Sequence, residues 1–405
     1  MKICDLTQFY SPVGGGVKRY IAEKVRFIRE HTPDDQHVLI VPGEKDEVVR
    51  DERSVVYTIR SPIISRTSQY RMLLRLEAVE EVFERERPDL IESSDPYQIA
   101  WKAVHSGHAL QIPVIGFYHS HFPEAYLRTT QKFLGQTATE FLLDFSRRYI
   151  RNLYNRFQRT IVPSPALADV LTEWGVRNIV HSDLGVDTAL FQPRPADDEN
   201  VRAELGIPEE RILLLYVGRL AQEKNTRTLF EAFRLLSERS SEEFQLLIVG
   251  DGLQRAELEQ LQKQLSHLSE EINRGDRETG GITWLPYCSD PARLAALYRA
   301  ADFFIHPGVQ ETFGLVSLEA QACGTPVIGI RGSYMDRIIH GDQTHWADEN
   351  RPEALAQAIL ETCCHPLKTN RRLLSECIRT RYSWELIFTR LFDVYRQVVA
   401  DYRPT

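Results

Sequence analysis

Two α/β domains, each built on a parallel sheet, are what this sequence predicts, and three observations carry the prediction. The chain has 405 residues, more than a single hydrophobic core normally serves. From Ile3 to Val180, short apolar runs alternate with stretches of helical periodicity, the pattern of parallel strands joined by crossover helices. A second series of the same kind begins at Ile212, after the proline-rich polar stretch PRPADDEN, which reads as a linker. The boundary is placed near Phe191, with domains at 1–190 and 191–383.

In the first series, Ile3 to Phe9 reads as a strand. The glycine-rich loop Pro12 to Gly16 follows and opens a helix from Val17 to about Glu30. Glycines let backbone approach a ligand and expose amides where a helix begins, and they also serve plain turns. Val38 to Val41 and Val55 to Ile59 read as strands. Met72 to Glu86 reads as an amphipathic helix, ending at Arg87-Pro88-Asp89 before the buried strand of Leu90 and Ile91. Asp95, Pro96 and Tyr97 sit at that strand's carboxyl end, where a ligand contact and a simple turn explain them equally well. Val114 to Tyr118 is the next strand, and His119, Ser120 and His121 come off its end. Phe141 to Phe157 reads as a helix made basic by Arg147, Arg148, Arg151 and Arg156. Such a helix can lie on an anionic membrane, or pack its leucine and tyrosine face on the sheet with the arginines in water; the second is the expected reading. Thr160 to Val162 and Ile179 to Val180 complete the series around a helix from Pro165 to Trp174.

In the second series, the strand Ile212 to Val217 ends in VGRLAQEKN. Gly218 permits close backbone approach. Arg219 and Lys224 put a planar fork and a point charge on one loop, which is what a pyrophosphate wants. The strand Phe244 to Val249 leads into the turn Gly250-Asp251-Gly252, and Ile282 to Tyr287, containing Pro286, is another strand. Leu294 to Ala301 reads as a helix, and Trp384 to Tyr402 as one long terminal helix.

Composition excludes several classes. Hydrophobic content of 42% with 26% charged residues is that of an ordinary globular chain. A net charge of −8 argues against generic nucleic-acid binding. The amino terminus lacks a signal-peptide pattern and no apolar run is long enough to span a bilayer. The six cysteines are scattered, which fits a reducing cytoplasm. Cys363, Cys364 and His365 lack the distant partners a tetrahedral metal site needs. The chain has no Asp-x-Asp metal motif either, and no metal or cofactor is expected.

The most informative stretch is His306 to Gly329, HPGVQETFGLVSLEAQACGTPVIG. The run Ala301 to Ile305 reads as a buried strand, Thr312-Phe313-Gly314 as a turn and Leu315 to Cys323 as a helix. The first-turn amides of that helix, at Leu315 and Val316, form an anion site at the strand's carboxyl end. Glu311 lies on the loop and Glu319 inside the helix, so both can flank a ligand held there. A bare phosphate does not account for two carboxylates. A sugar nucleotide does, with ribose hydroxyls for one and sugar hydroxyls for the other. Gly324 and Pro326 end the helix, and Val327 to Ile330 is the next strand.

These residues resemble the signature of retaining glycosyltransferases of the GT-B fold, family 4, in which two glutamates separated by seven residues bracket a Phe-Gly-Leu turn. The block from Tyr216 to Asn225 is similar to the family's glycine, arginine, glutamate, lysine block. The resemblance implies two doubly wound, Rossmann-like domains facing a cleft, the second binding the donor, with the terminal helix crossing back to the first. It implies transfer of a hexosyl unit from a nucleotide diphosphate sugar to a hydroxyl of a glycan, lipid or small molecule, with anomeric configuration retained. By the same resemblance Gly15 and Gly16 face the donor phosphates, Gly250 and Pro286 lie near the nucleotide, and His119, with His121 as the fallback, stands beside the reacting sugar. Glu311, His119, Arg219 and Lys224 are the expected catalytic residues. Gly218, Phe313, Gly314, Leu315, Val316 and Glu319 join the loop glycines, Pro286 and the two cations on the donor. Past Gly329 the pattern departs from the family, with RGSYMDRII where a Gly-Gly turn and a glutamate are usual; Asp336 is given no role. Peripheral contact with the inner face of a membrane is compatible with the basic helix. The alternatives are another enzyme on the same fold, such as a nucleotide-sugar epimerase, or an inactive nucleotide-sugar-binding protein. A phosphorylase would need a cofactor-lysine motif that the sequence lacks.

Overall fold

The computed structural model describes residues 1–10, 15–64, 70–119, 121, 135–194, 201–239, 244–271, 281–309, 311–333, 336–365 and 370–403. The chain divides into two compact units, Met1–Leu184 with Trp384–Thr405, and Gly185–Ser383. The division falls at Gly185, a few residues ahead of Phe191.

The first unit begins with β1 (Lys2–Leu6), α1 (Gly16–His31), β2 (Gln36–Gly43), β3 (Glu47–Arg50) and β4 (Ser54–Arg60). It continues with α2 (Leu76–Glu86), β5 (Leu90–Ser93), α3 (Gln98–Leu110), β6 (Val114–Phe117) and α4 (Gln136–Tyr154). It closes with β7 (Thr160–Val162), α5 (Pro165–Glu173) and β8 (Ile179–His181). Its sheet has the order β3-β4-β2-β1-β5-β6-β7-β8 and is parallel except for β3, which runs antiparallel along the edge. Strands such as Leu90–Ser93 and Val114–Phe117 are buried throughout, as a sheet covered by helices on both faces requires.

The second unit begins with α6 (Val201–Glu204), β9 (Ile212–Val217), α7 (Thr226–Arg239), β10 (Phe244–Val249) and α8 (Arg255–Glu271). It continues with β11 (Ile282–Leu285), α9 (Pro291–Ala300), β12 (Phe303–His306), α10 (Leu315–Ala322) and β13 (Val327–Gly329). After β13 come α11 (Pro352–Cys364) and α12 (Arg371–Tyr382), and the final helix α13 (Trp384–Asp401) belongs to the first unit. The sheet is wholly parallel, in the order β11-β10-β9-β12-β13. Sequence order reverses between β9 and β12. At such a switch point the loops leaving the carboxyl ends diverge and leave room for a ligand. The core under this sheet gathers Leu214, Leu246 and Ile248 with Phe230, Phe233, Leu355 and Ile359.

The differences from the sequence reading are local. The helix expected from Met72 starts at Leu76, the strand expected to reach Tyr287 stops at Leu285, and β3 and α3 are additional. Among the described residues all six cysteines are free. No helix of the described residues is long and apolar enough to cross a membrane.

Candidate active site

The loops that leave β9, β10 and β12 meet at the carboxyl end of the second sheet. The Gly218 amide donates to the Val249 carbonyl at 3.0 Å and the Leu220 amide to the Asp251 carbonyl at 2.9 Å. The two loops are thereby zipped backbone to backbone. Gly250 sits at φ +145°, and a Cβ there would come within 2.0 Å of the Gly218 carbonyl oxygen. This position needs glycine for loop-on-loop contact, whatever it does for a ligand.

Past Gly218 the β9 loop tightens into a single 3-10 turn, Gln222–Lys224, and Asn225 follows in the left-handed region at φ 57°. The Asn225 side chain donates to the Pro307 carbonyl at 2.9 Å, which ties this turn to the loop leaving β12. Lys224 is thereby held so that its ammonium donates to the Glu311 carboxylate. His306, the last residue of β12, brings its Nε2 to 3.8 Å from the same carboxylate. Burial alone would raise the Glu311 pKa, but the Lys224 charge and the His306 contact outweigh it and hold the carboxyl well below its ordinary range. Glu311 is therefore an anion and a hydrogen-bond acceptor, not an acid. Arg219 pairs with Glu223 at 2.6 Å, one turn along. Both cations expected to serve a pyrophosphate thus already carry a carboxylate partner.

The turn after Glu311 places Gly314 in the left-handed region, φ 89°, as the cap of α10. The first backbone bonds back to the Gly314 carbonyl come from Ser317, 2.9 Å, and Leu318, 3.3 Å. The amides of Leu315 and Val316 precede them and have no acceptor within the helix. Phe313 is buried, with the Arg337 guanidinium 5.7 Å over its ring. Glu319 lies one turn and more inside α10, is 2% exposed, and accepts the Tyr298 hydroxyl at 3.1 Å. The two glutamates therefore stand in different surroundings, Glu311 with two basic side chains and Glu319 with a neutral hydroxyl. Pro286 is exposed just past β11. Asp336 accepts the Gly332 amide at 2.7 Å, a turn-holding task.

In the first unit, Gly15 caps α1 and is exposed together with Gly16. His119 follows β6 and lies flat on Phe117, ring centroids 3.8 Å apart, with the edge of Tyr20 5.2 Å away. Burial, aided by the Lys24 charge, pushes its pKa down to about 3, so the imidazole is neutral at physiological pH. His121 is buried, bonded to the Tyr118 hydroxyl at 3.2 Å and stacked on Trp174. Ser120 lies outside the described residues. Asp95 accepts the Gln8 amide at 2.6 Å, binding the end of β5 to the loop after β1, and burial raises its pKa to about 7. On α4, Ile150, Leu153 and Tyr154 face inward. Phe141 and Phe145, one turn apart, are 72% and 63% exposed, beside the exposed arginines Arg148 and Arg151. Arg147 lies over the Trp174 ring.

One feature escaped the sequence reading. Lys24, Asp5, Glu92 and His37 are fully buried in the first unit: the Lys24 ammonium donates to Asp5 at 2.8 Å and to Glu92 at 3.0 Å, and His37 Nε2 is 2.6 Å from Asp5. One ammonium serves two carboxylates. Burial raises both, but Lys24 and His37 hold Asp5 ionised well below its ordinary range, whereas Glu92 is pushed up to about 7. The signal was in the sequence: Tyr20, Ile21, Lys24, Phe27 and Ile28 form one buried helical stripe, and a lysine inside such a stripe needs a buried acid.

Two Rossmann-like units, the second with carboxylates and cations gathered at the switch point of its parallel sheet, are the architecture of the GT-B fold. The family model described as Glycosyltransferase Family 4 matches residues 14–190, and that described as Glycosyl transferases group 1 matches residues 197–374. A GDP-mannose-dependent alpha-(1-6)-phosphatidylinositol dimannoside mannosyltransferase of Mycobacterium tuberculosis is 31% identical over 95% of this chain and 93% of its own length. A GDP-mannose-dependent alpha-mannosyltransferase of Corynebacterium glutamicum is 28% identical over 99% of this chain and 90% of its own. The crystal structure of HepE from Anabaena in complex with UDP and glucose superposes with a TM-score of 0.72 at 18% identity, covering 98% of this chain and 100% of that one. The chain belongs to glycosyltransferase family 4 and is a hexosyltransferase that uses a nucleotide-sugar donor.

Proposed function

We propose that this protein transfers a mannosyl unit from GDP-mannose to a hydroxyl of a lipid-linked or glycan acceptor, with retention of anomeric configuration and without a metal ion. The single observation that carries the reading is the Lys224–Glu311 pair, which joins the loops of adjacent strands β9 and β12 beside the first turn of α10. The choice of GDP-mannose is supported by the two GDP-mannose-dependent relatives, and that of a lipid acceptor by the phosphatidylinositol dimannoside named for the mycobacterial one.

In this reading the donor's diphosphate sits at the Leu315 and Val316 amides, with Arg219, Lys224, Gly218, Gly250 and the Gly15-Gly16 turn as further contacts. Gly314 and Pro286 border the site, and the buried Phe313 backs the turn into α10. Glu319 takes the ribose hydroxyls and Glu311 the hydroxyls of the sugar. The bond from the anomeric carbon to the diphosphate breaks as the acceptor oxygen attacks from the same face, and the acceptor's proton passes to a departing phosphate oxygen. Lys224 and Arg219 offset the charge that develops on that diphosphate, the task a metal performs elsewhere. His119 supplies a neutral imidazole to the reaction.

We also infer peripheral contact at the cytoplasmic membrane face through α4. The exposed Phe141 and Phe145 supply apolar area, and Arg148 and Arg151 supply positive charge, although Glu140 and Asp144 on the same helix reduce it. The test is incorporation of labelled mannose from GDP-mannose into a lipid or glycan acceptor in the presence of EDTA. Turnover is expected to survive the chelator. Loss of activity with EDTA and its return with Mg²⁺ would contradict the metal-free assignment, and transfer from a UDP-sugar alone would contradict the donor.

A further inference from the structure

We infer that the chain's last helix, α13, is a positioning element for His119 and acts on it through Tyr20; the inference rests on the role given to His119 above. The His119 ring is held on two sides, flat against Phe117 at 3.8 Å and 4° and edge-on to Tyr20 at 5.2 Å and 68°. Tyr20 also meets Phe117 at 5.0 Å. The position of the Tyr20 ring therefore sets one wall of the imidazole's seat.

Tyr20 in turn is held from α13. Phe388 and Trp384 lie 5.6 and 6.2 Å from its ring, and the Tyr395 hydroxyl is 3.3 Å from its own. Both hydroxyls converge on Glu92: Tyr20 donates at 3.1 Å to one carboxylate oxygen, and Tyr395 donates to the other. The Lys24 ammonium completes the knot, 4.5 Å from the Tyr20 ring centroid and 5.4 Å from that of Tyr395.

A buried ionic cluster is an expensive way to dock a helix. Apolar side chains of the same volume hold such an interface as well or better. What hydrogen bonds add is direction: they fix where the Tyr20 hydroxyl lies, and so the tilt of the ring that touches His119. Alignment of reacting groups is sensitive to shifts of this size, because a misplacement of about 1 Å costs up to about 10²-fold in rate. Lys24, Asp5, Glu92, Tyr20 and Tyr395 together thus convert the docking of the chain's end into a defined imidazole position.

The experiment is a double-mutant cycle. Tyr395→Phe and Tyr20→Phe each remove one hydroxyl and keep the ring, and Glu92→Gln removes the shared acceptor's charge. Each variant, shown to be folded by circular dichroism, is expected to lower kcat about tenfold and to leave KM for GDP-mannose within about twofold. In a His119→Asn background the same changes are expected to cost less than about twofold, since the group they position is gone. Losses that stay fully additive in that background would make the cluster a matter of stability alone and overturn the inference. Wild-type kcat in all three variants, with His119→Asn impaired, would overturn it while leaving the role of His119 intact. An unimpaired His119→Asn enzyme would remove that role and the inference with it.

Discussion

Lys224→Ala is expected to lower turnover by about 10²- to 10³-fold, the usual cost of removing one donor from a developing oxyanion, and Arg219→Ala to follow it with a smaller loss. The order comes from the surroundings. Lys224 is partly buried and joined to Glu311, where water screens poorly, whereas Arg219 is more exposed and its partner Glu223 is on its own turn. Removing Lys224 also takes from Glu311 the charge that offsets its burial. The Glu311 pKa should then rise, and carboxylate-dependent activity should be lost at a higher pH than in the wild type, where Glu311 stays ionised far below neutrality. Single-turnover rates across the acid range check both statements. Near-native rates in Lys224→Ala would remove this residue from the mechanism.

The two glutamates should separate in their effects. Glu319→Gln is expected to weaken binding of free GDP by about tenfold or more, because a charged acceptor for ribose hydroxyls becomes a neutral amide inside a buried site. Glu311→Gln is expected to leave GDP affinity within about twofold and to lower turnover by about 10²-fold, since its partner is the transferred sugar and its charge acts where charge develops. The surroundings differ in the same sense: Glu319 is buried and accepts the Tyr298 hydroxyl, while Glu311 is tied to the Lys224 ammonium. Isothermal titration with GDP and steady-state rates decide it. Loss of GDP affinity mainly in Glu311→Gln would reverse the two assignments.

Legibility in the sequence followed burial. Ile212–Val217 and Phe244–Val249 could be bounded from their residues alone, since each is an apolar run stopped by glycine. The strand Phe303–His306 was readable as a buried run stopped before Pro307, and the helix Leu315–Ala322 from the Gly314 turn before it and Gly324 and Pro326 after it. Glu47–Arg50 was not, because it is an exposed edge strand whose place is set by pairing with Ser54–Arg60, and nothing in its own pattern requires it. Gln98–Leu110 was hidden by the glycine and histidines that interrupt its periodicity. Within the candidate site the residue types were visible and their pairings were not. Lys224 and Glu311 lie on loops of neighbouring strands, yet they are 87 residues apart in sequence. Tyr395 and Glu92, 303 apart, meet because the last helix returns to the first unit. Periodicity reports which face of an element is covered and is silent on which distant element covers it.

The most direct measurement is the anomeric configuration of the product formed from GDP-α-mannose carrying ¹³C at the anomeric carbon, followed by NMR with a mannosylated lipid acceptor. An α-mannoside that accumulates in step with free GDP, in the presence of EDTA, is the expected product. A β-mannoside, or consumption of the donor to free mannose with no glycoside formed, would contradict the proposed function.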